Sequence, residues 1–207
     1  MSSLVLELQR DALDKGIHVT NLLRKALLVS RKLKIKDIEE WITSELNGYE
    51  DMLPDYRVVR GEVKAFNPYR GWIPVYVNEE WHDLLCKQNV WLSVSQIENL
   101  IEGTETGTFT MKYAPGPSDI IRKLIGQDFQ PALFVPVHHL VRMIDTVKTK
   151  VMEFALDLEE RGILGEGITF SVHEQKVAQN ITYNTINIQR MTNSQIQQDT
   201  FESDQFN

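Results

Sequence analysis

Two histidine-containing pairs are the first places to look for chemistry. His82 and Cys86 are one helical turn apart, so an imidazole and a thiolate could face one metal ion. The alternative, which we favour, is that Cys86 packs as a small hydrophobic side chain. His138 and His139 open the longest predicted helix, where the dipole favours the neutral imidazole. They could act as a base or ligand beside a carboxylate, but an exposed helix start is the simpler interpretation.

Standard catalytic motifs are missing from the sequence. It contains no phosphate-binding glycine-rich loop ending in Lys-Ser or Lys-Thr, no Gly-x-Ser-x-Gly, no His-Glu-x-x-His and no Cys-x-x-Cys. Cys86 is the single cysteine, which excludes an internal disulfide. We therefore predict no metal site and no cofactor, and we assign no catalytic residue. A convergent active site needs no local motif, so an enzyme stays open as an alternative.

The second predicted helix carries the clearest candidate binding surface. No acidic residue occurs between residues 24 and 36, a segment that contains several lysines and arginines. The apolar residue Leu28 lies among these cations. We call the following set the helix-two surface: Arg24, Lys25, Leu28, Arg31 and Lys32. Such a surface suits an acidic protein or a nucleic acid. The alternative, which we favour, is a solvated face paired with the chain's own acids, such as Glu39, Glu40 and Glu45, with Leu28 covered.

A predicted β-hairpin offers a weaker candidate surface at its turn. Residues 56–66 and 72–77 are rich in strand formers and are separated by Asn-Pro-Tyr-Arg-Gly. Tyr69, Arg70 and Trp72 lie at or beside this turn, and aromatic side chains interleaved with arginine can stack on bases. The same residues could equally close a folded loop. Nucleic acid is thus a possible partner, but we favour a protein partner or a second copy of the chain.

The tail differs in composition from everything before it. Residues 180–198 are dominated by Asn, Gln, Thr and Ile, without proline and with little charge. Strands of this type can stack between chains through side-chain amide ladders. We predict that the tail mediates self-association through Ile181, Tyr183, Ile186 and Ile188. A disordered tail, or a strand added to the chain's own sheet, is the alternative.

The elements that would position these residues indicate an α+β fold. Apolar spacing predicts three helices in residues 1–50, with Thr20 as N-cap of the second and a capping box from Asp37 to Glu40 in the third. Residues 51–178 are predicted to be mixed. They contain the hairpin, with Pro74 marking its second strand as an edge, a small antiparallel sheet, and short helices at 79–87, 95–101 and 117–125. Residues 132–135 are either a short strand or an extended entry to the next helix.

A long helix is predicted over residues 136–161. Its apolar residues recur at alternating spacings of three and four, which is typical of a core helix or of a coiled coil, and we favour the core helix. A second capping box, Ser171 to Glu174, predicts a short helix to about residue 178. We therefore expect one domain over 1–178 and a β-prone or disordered tail over 179–207.

Size and charge constrain the class of protein. The chain has 207 residues, 42% of them hydrophobic, which is enough to bury a core without metal or disulfide. Its net charge of −7 weakens any non-specific nucleic-acid binding but leaves room for a local basic site. We recognise neither a signal peptide nor a membrane helix, and we expect a cytoplasmic protein.

Several segments together resemble the AbiTii family of bacterial abortive-infection proteins. They are LVLELQRDALD (4–14), LLRKALLVSRKL (22–33), EEWITSELNGY (39–49), PDYRVVRGEVKAFNPYRGWIPV (54–75), ALDLEERGILGEGITFSVHE (155–174) and NSQIQQ (193–198). The resemblance implies a phage-defence setting and carries over no catalytic residue. Our leading hypothesis is a non-enzymatic interaction module, oligomerising through its tail. The alternatives are a toxin-type nuclease or other enzyme, and a nucleic-acid-binding regulator that uses the helix-two surface.

Overall fold

The computed structural model describes residues 3–179, and these form an α+β protein, as predicted; they contain two antiparallel sheets. In chain order the elements are α1 (Leu4–Leu13), α2 (Val19–Leu33), α3 (Lys36–Asn47), a 3₁₀ turn (Asp55–Arg57), β1 (Val58–Arg60), β2 (Glu62–Asn67), β3 (Gly71–Pro74), α4 (Glu79–Leu85), β4 (Lys87–Asn89), α5 (Val94–Glu102), β5 (Thr108–Lys112), α6 (Pro115–Ile125), β6 (Gln130–Pro136), α7 (His138–Glu160) and α8 (Val172–Gln179). No helix among these residues combines the length and apolar character needed to cross a membrane.

The chain divides into two compact units. Within the described residues, the first comprises 3–50, 93–95 and 145–179, and the second comprises 51–92 and 96–144. The first unit is helical within the described residues, and the second contains both sheets.

The three predicted N-terminal helices form the start of the first unit. Each buries an apolar stripe, for example Leu22, Ala26 and Val29 on α2. From Asp145 onward α7 also belongs to this unit, and its seam residues Val151 and Phe154 are buried in the core. The prediction that the three-and-four spacing marks a buried stripe is confirmed.

Two of the predicted helix starts are wrong. Thr20 lies inside α2, which begins at Val19 with His18 as its N-cap. The side chains of Val19 and Thr20 are both buried, so this turn packs as part of the helix. The predicted capping box from Asp37 does not form, since α3 begins at Lys36. Buried Ile35 sets this start: its N–H bonds to Ser30 O at 2.9 Å, while its carbonyl accepts from Glu39 N at 3.1 Å. Tertiary burial thus outweighs the capping preference at both sites.

The capping box at the start of α8 is confirmed. Glu174 N donates to Ser171 Oγ at 3.2 Å, and Ser171 N donates to Glu174 Oε2 at 2.7 Å. The other carboxylate oxygen accepts from Leu164 N at 3.1 Å and Gly165 N at 2.8 Å. Glu174 therefore stabilises both the glycine-rich turn after α7 and the start of α8.

The second unit contains a four-stranded antiparallel sheet of order β3-β2-β6-β5 and a two-stranded sheet of β1 and β4. The hairpin of β2 and β3 is confirmed, with Ala65 opposite Ile73, and β3 is an edge strand as Pro74 predicted. Residues 132–135 lie in β6, a central strand. The inner face of the sheet contributes Val63, Leu133 and Val135 to a core shared with Leu85, Ile97, Ile121, Leu140 and Met143.

The single strand predicted over residues 56–66 is wrong. Arg57 lies in the 3₁₀ turn, β1 pairs with β4, and the chain enters the larger sheet only after Gly61. A Cβ on Gly61 would lie 2.5 Å from Phe134 O, so the change of sheet needs glycine here. The helix predicted over 79–87 ends at Leu85, because Lys87 already pairs with Arg60.

Candidate functional site

The outer face of the four-stranded sheet is the most distinctive surface of the second unit. Cross-strand partners share a face, so the registers define its rows. One row holds Trp72, Phe66 and Gln130, the next Pro74, Lys64, Ala132 and Lys112, and the third Glu62, Phe134 and Thr110. We call these ten residues the outer sheet face. It joins exposed aromatic rings, two lysines and one carboxylate on a rigid backbone ladder.

Three aromatic rings interlock on this face, and we call them the aromatic cluster: Phe66, Trp72 and Phe134. Phe66 and Trp72 meet edge to face with centroids 5.4 Å apart, and Trp72 meets Phe134 in the same way at 5.0 Å. Trp72 and Phe66 are nevertheless 40% and 42% exposed. Each ring is therefore held in place by its neighbour while presenting area to solvent.

Lys64 is the cation at the centre of the outer sheet face. Its Nζ lies 4.8 Å from the centroid of the Phe134 ring, within the range of a cation–π contact. The same nitrogen is 3.0 Å from Glu62 Oε2. Glu62 is the one carboxylate in the three rows defined above, so the two lysines leave these rows with a net positive charge.

The hairpin turn presents Tyr69 and Arg70 beside the aromatic cluster. Asn67 Oδ1 accepts from Tyr69 N at 2.8 Å and from Arg70 N at 3.2 Å, an arrangement that fixes the turn. Gly71, with φ of +73°, completes it. Tyr69 is 97% exposed, and Arg70 is exposed too. Tyr69, Arg70 and Trp72, the three hairpin residues proposed from the sequence, thus lie exposed in the turn or at the start of β3.

The helix-two surface lies in the first unit, and several of its charges have partners within the chain. Lys25 Nζ is 2.6 Å from Asp11 Oδ2 and 3.6 Å from Glu7 Oε2. Arg31 Nε lies 2.8 Å from Glu39 Oε1. Asp11, Glu7 and Glu39 therefore neutralise part of the positive charge of the helix-two surface.

The remaining members of the helix-two surface stay accessible. Arg24 is exposed, with Nη1 3.2 Å from Asn21 Oδ1, and Lys32 is partly exposed. Leu28 is 40% exposed rather than covered. Leu28 therefore remains accessible on α2 together with the cations Arg24 and Lys32.

His82 and Cys86 differ sharply in their surroundings. Cys86 is buried in the core of the second unit. This burial raises the pKa of its thiol, and the negative charge of Asp83 adds a smaller increase. His82 has a half-exposed side chain with Nδ1 3.8 Å from Asp83 Oδ1. Among residues 3–179, no group of three or more His, Cys, Asp and Glu is arranged to hold a metal ion.

His138 and His139 lie in the first turn of α7, where the sequence placed them. Their rings stack with centroids 4.5 Å apart. The pKa of His139 is lowered mainly by its partial burial and, to a smaller extent, by the neighbouring charges of His138 and Arg142. No carboxylate in the described part of the chain forms an ion pair with either ring. The carboxylate partner that a catalytic histidine would use is therefore not found among these residues.

One of the acids that the sequence suggested as a partner of a solvated helix-two surface is buried in the first unit. Glu45 on α3 is fully buried and accepts a 2.6 Å hydrogen bond from Tyr49 Oη. Lys150 on α7 interacts electrostatically with Glu153 and Glu45, yet burial lowers its pKa overall.

The predicted self-association residues Ile181, Tyr183, Ile186 and Ile188 lie outside the described residues. Their role therefore stays a prediction.

Taken together, the fold and surfaces define an α+β protein whose most developed feature is an exposed aromatic sheet face. The AbiTii family model matches residues 3–183, and the chain belongs to this family. Membership points to a role in abortive infection, a bacterial defence against phage. Neither the curated proteins nor the solved structures contain a significant match.

The hairpin is predictable from the sequence, but most of the outer sheet face is not. Phe66 could have been found, because it must pair with Trp72 once the turn is fixed at Asn67 and Gly71. Phe134 and Lys112 could not, since β6 pairs with β2, and β5 with β6, through contacts distant in sequence. Local periodicity carries no information on which strands become neighbours.

Proposed function

We propose that the chain acts in abortive infection as a binding module that catalyses no reaction, and that the outer sheet face is its working surface. The observation that carries this proposal is the exposure of Trp72 and Phe66, at 40% and 42%, on a face whose reverse side is packed into a core. A grouped set of exposed aromatic side chains marks an interaction surface, whereas single exposed apolar residues are ordinary. Aromatic residues also dominate the binding energy of known interfaces.

The test is phage protection by the full chain expressed in a bacterial host. Trp72→Ala removes the ring at the centre of the aromatic cluster and should abolish protection. Trp91→Ala is the matched control, because Trp91 belongs to the same unit, is 39% exposed, and lies outside the outer sheet face. Circular dichroism should show both variants folded. Full protection by a folded Trp72→Ala variant would refute the proposal.

We also propose that the module self-associates through its tail, at Ile181, Tyr183, Ile186 and Ile188. The composition of residues 180–198 supports this proposal. Sedimentation velocity of the full chain should show a larger species than a chain that ends at Ala178. Identical sedimentation coefficients, after correction for mass, would remove the self-association proposal and leave the outer sheet face unaffected.

A toxin-type enzyme is the second candidate function, and the fully buried carboxylate of Glu45, which interacts electrostatically with the partly buried Lys150, favours it. In this alternative, Lys150 would accept a proton and Glu45 would position it. Lys150→Met keeps most of the side-chain volume and removes the amine. Loss of protection by a folded Lys150→Met variant, with Trp72→Ala fully active, would establish the enzyme alternative over the binding module.

A further inference from the structure

We infer that the ligand of the outer sheet face is a single-stranded nucleic acid. In this arrangement bases stack on Phe66 and Trp72, while phosphates meet Lys64, Lys112 and Arg70. The inference rests on the proposed function, since it names the partner of the same surface. It differs from the alternative based on the helix-two surface, which lies in the other unit.

The aromatic cluster has the form that stacking on bases requires. Every base has a π-face, so an exposed ring on a rigid support binds single strands with little sequence preference. The two most exposed rings of the cluster, Phe66 and Trp72, lie on paired strands, directly opposite each other. Their planes are inclined by 66°, so they offer two differently oriented surfaces to successive bases. In a duplex the bases are already stacked and paired, and these rings could not reach their faces.

The charges around the cluster are distributed as a phosphate backbone would need. Lys64 and Lys112 lie in one row on either side of Ala132, and Arg70 lies in the turn beyond Trp72. The single carboxylate of the outer sheet face, Glu62, is 3.0 Å from Lys64. The face is therefore locally cationic on a chain whose net charge is −7.

The polar residues of the face also favour nucleic acid over a protein partner. The same rows contain Gln130 and Thr110, which can hydrogen-bond to bases, sugars or phosphates. Protein interfaces are depleted of charged residues, and especially lysine, at their centre, but here Lys64 lies in the middle of the aromatic cluster over Phe134. A lysine held over an aromatic ring instead suits a ligand that combines π-faces with negative charge.

Fluorescence anisotropy with the full chain tests the inference. The probes are fluorescein-labelled oligouridine and oligothymidine about twelve nucleotides long, and a labelled duplex of the same length. Both single strands should bind, the duplex should bind more weakly, and the difference between the two single strands shows whether RNA or DNA is preferred. Trp72→Ala should weaken single-strand binding by about tenfold or more, and Trp91→Ala should leave it unchanged.

The salt dependence provides a second readout that does not depend on Trp72. Three phosphate contacts predict a slope of about −2 in a plot of log affinity against log salt concentration. Lys112→Gln removes an exposed cation at the end of its row and should make this slope shallower by about 0.7. Lys87→Gln, on the other sheet of the same unit, should leave the slope unchanged.

The outcomes separate this inference from the proposed function. No binding of either single strand, or equal weakening by Trp72→Ala and Trp91→Ala, overturns the inference. If single strands fail to bind while Trp72→Ala still loses phage protection, the outer sheet face remains the working surface and its partner is a protein. If single strands bind as predicted but Trp72→Ala protects fully, the nucleic-acid site stands and the proposed role of the face in defence is wrong.

Discussion

Trp72 and Phe134 make an edge-to-face contact with centroids 5.0 Å apart, although their strands are not neighbours. Trp72 lies on edge strand β3 and Phe134 on central strand β6, with β2 between them. The indole therefore crosses the whole width of β2. Since β3 has one hydrogen-bonded neighbour among the described strands, this contact ties the edge of the sheet to its centre.

Energetic coupling between Trp72 and Phe134 is the first prediction. A double-mutant cycle with Trp72→Ala and Phe134→Ala should give a coupling free energy of about 0.5–1.5 kcal/mol, the range of aromatic pairs. Urea unfolding of the four proteins measures it. Strictly additive effects would mean that the two rings are adjacent without stabilising each other.

Gly61 should tolerate no side chain. Gly61→Ala places a Cβ 2.5 Å from Phe134 O and 2.9 Å from Leu133 Cγ, and the carbonyl belongs to the paired backbone of β6. We expect a loss of about 1–3 kcal/mol in the free energy of unfolding, the usual cost of overpacking. Thermal unfolding followed by circular dichroism measures the change.

Gly116→Ala provides the control for Gly61→Ala. Gly116 lies in α6, and nothing lies within 4 Å of an added Cβ. Alanine is the better helix former, so this variant should be as stable as the wild type or more stable by up to about 1 kcal/mol. Equal destabilisation by both substitutions would contradict the close approach at Gly61.

Glu174 should make the stability of the chain depend on acidic pH. Its partial burial would raise the pKa, but hydrogen bonds from Ser171, Gly165 and Leu164 outweigh this effect and hold the pKa below its ordinary 4.5. A carboxyl group with a lowered folded pKa stabilises the fold above its unfolded pKa. This stabilisation is lost as the pH falls through the folded value.

Glu174→Gln is the variant that tests this pH dependence. It should be less stable than the wild type at neutral pH, and the difference should shrink as the pH is lowered below about 4. Ser171→Ala, which removes the other half of the capping box, should cost about 1 kcal/mol. Glu166→Gln in the same turn is the control. A Glu174→Gln difference that stays constant from neutral to acidic pH would disprove the role of the carboxylate charge.

Charge reversal on α2 should leave phage protection intact. Arg24→Glu combined with Arg31→Glu removes the Arg31–Glu39 ion pair, which is partly exposed and should contribute less than about 1 kcal/mol. Because the proposed working surface lies on the sheet, a folded double variant should protect as well as the wild type. Lost protection would instead identify the helix-two surface as the one that binds the partner.

Short-range signals predicted those parts of the fold that local chemistry controls. The hairpin followed from the turn between Asn67 and Gly71, and the start of α8 followed from Ser171 and Glu174. The predictions failed where distant residues decide. Thr20 is a good N-cap by type, but it is buried inside α2, whose N-cap is His18, two residues earlier.

The candidate site shows the same limit. Tyr69, Arg70 and Trp72 were selected because they are adjacent in sequence to a recognisable turn. Phe134 joins them only because β6 pairs with β2 across a long stretch of chain, at Glu62 opposite Phe134. Such pairings depend on the packing of the whole inner face, and a single sequence does not show them.

The proline on β3 bears on how the protein behaves at high concentration. Pro74 has no N–H to donate, so the β3 edge is a poor template for adding a strand from another molecule. The opposite edge, β5 with the sequence TFTMK, pairs with β6 alone in the described part of the chain and has no proline. Unwanted aggregation during purification or storage should therefore begin at β5.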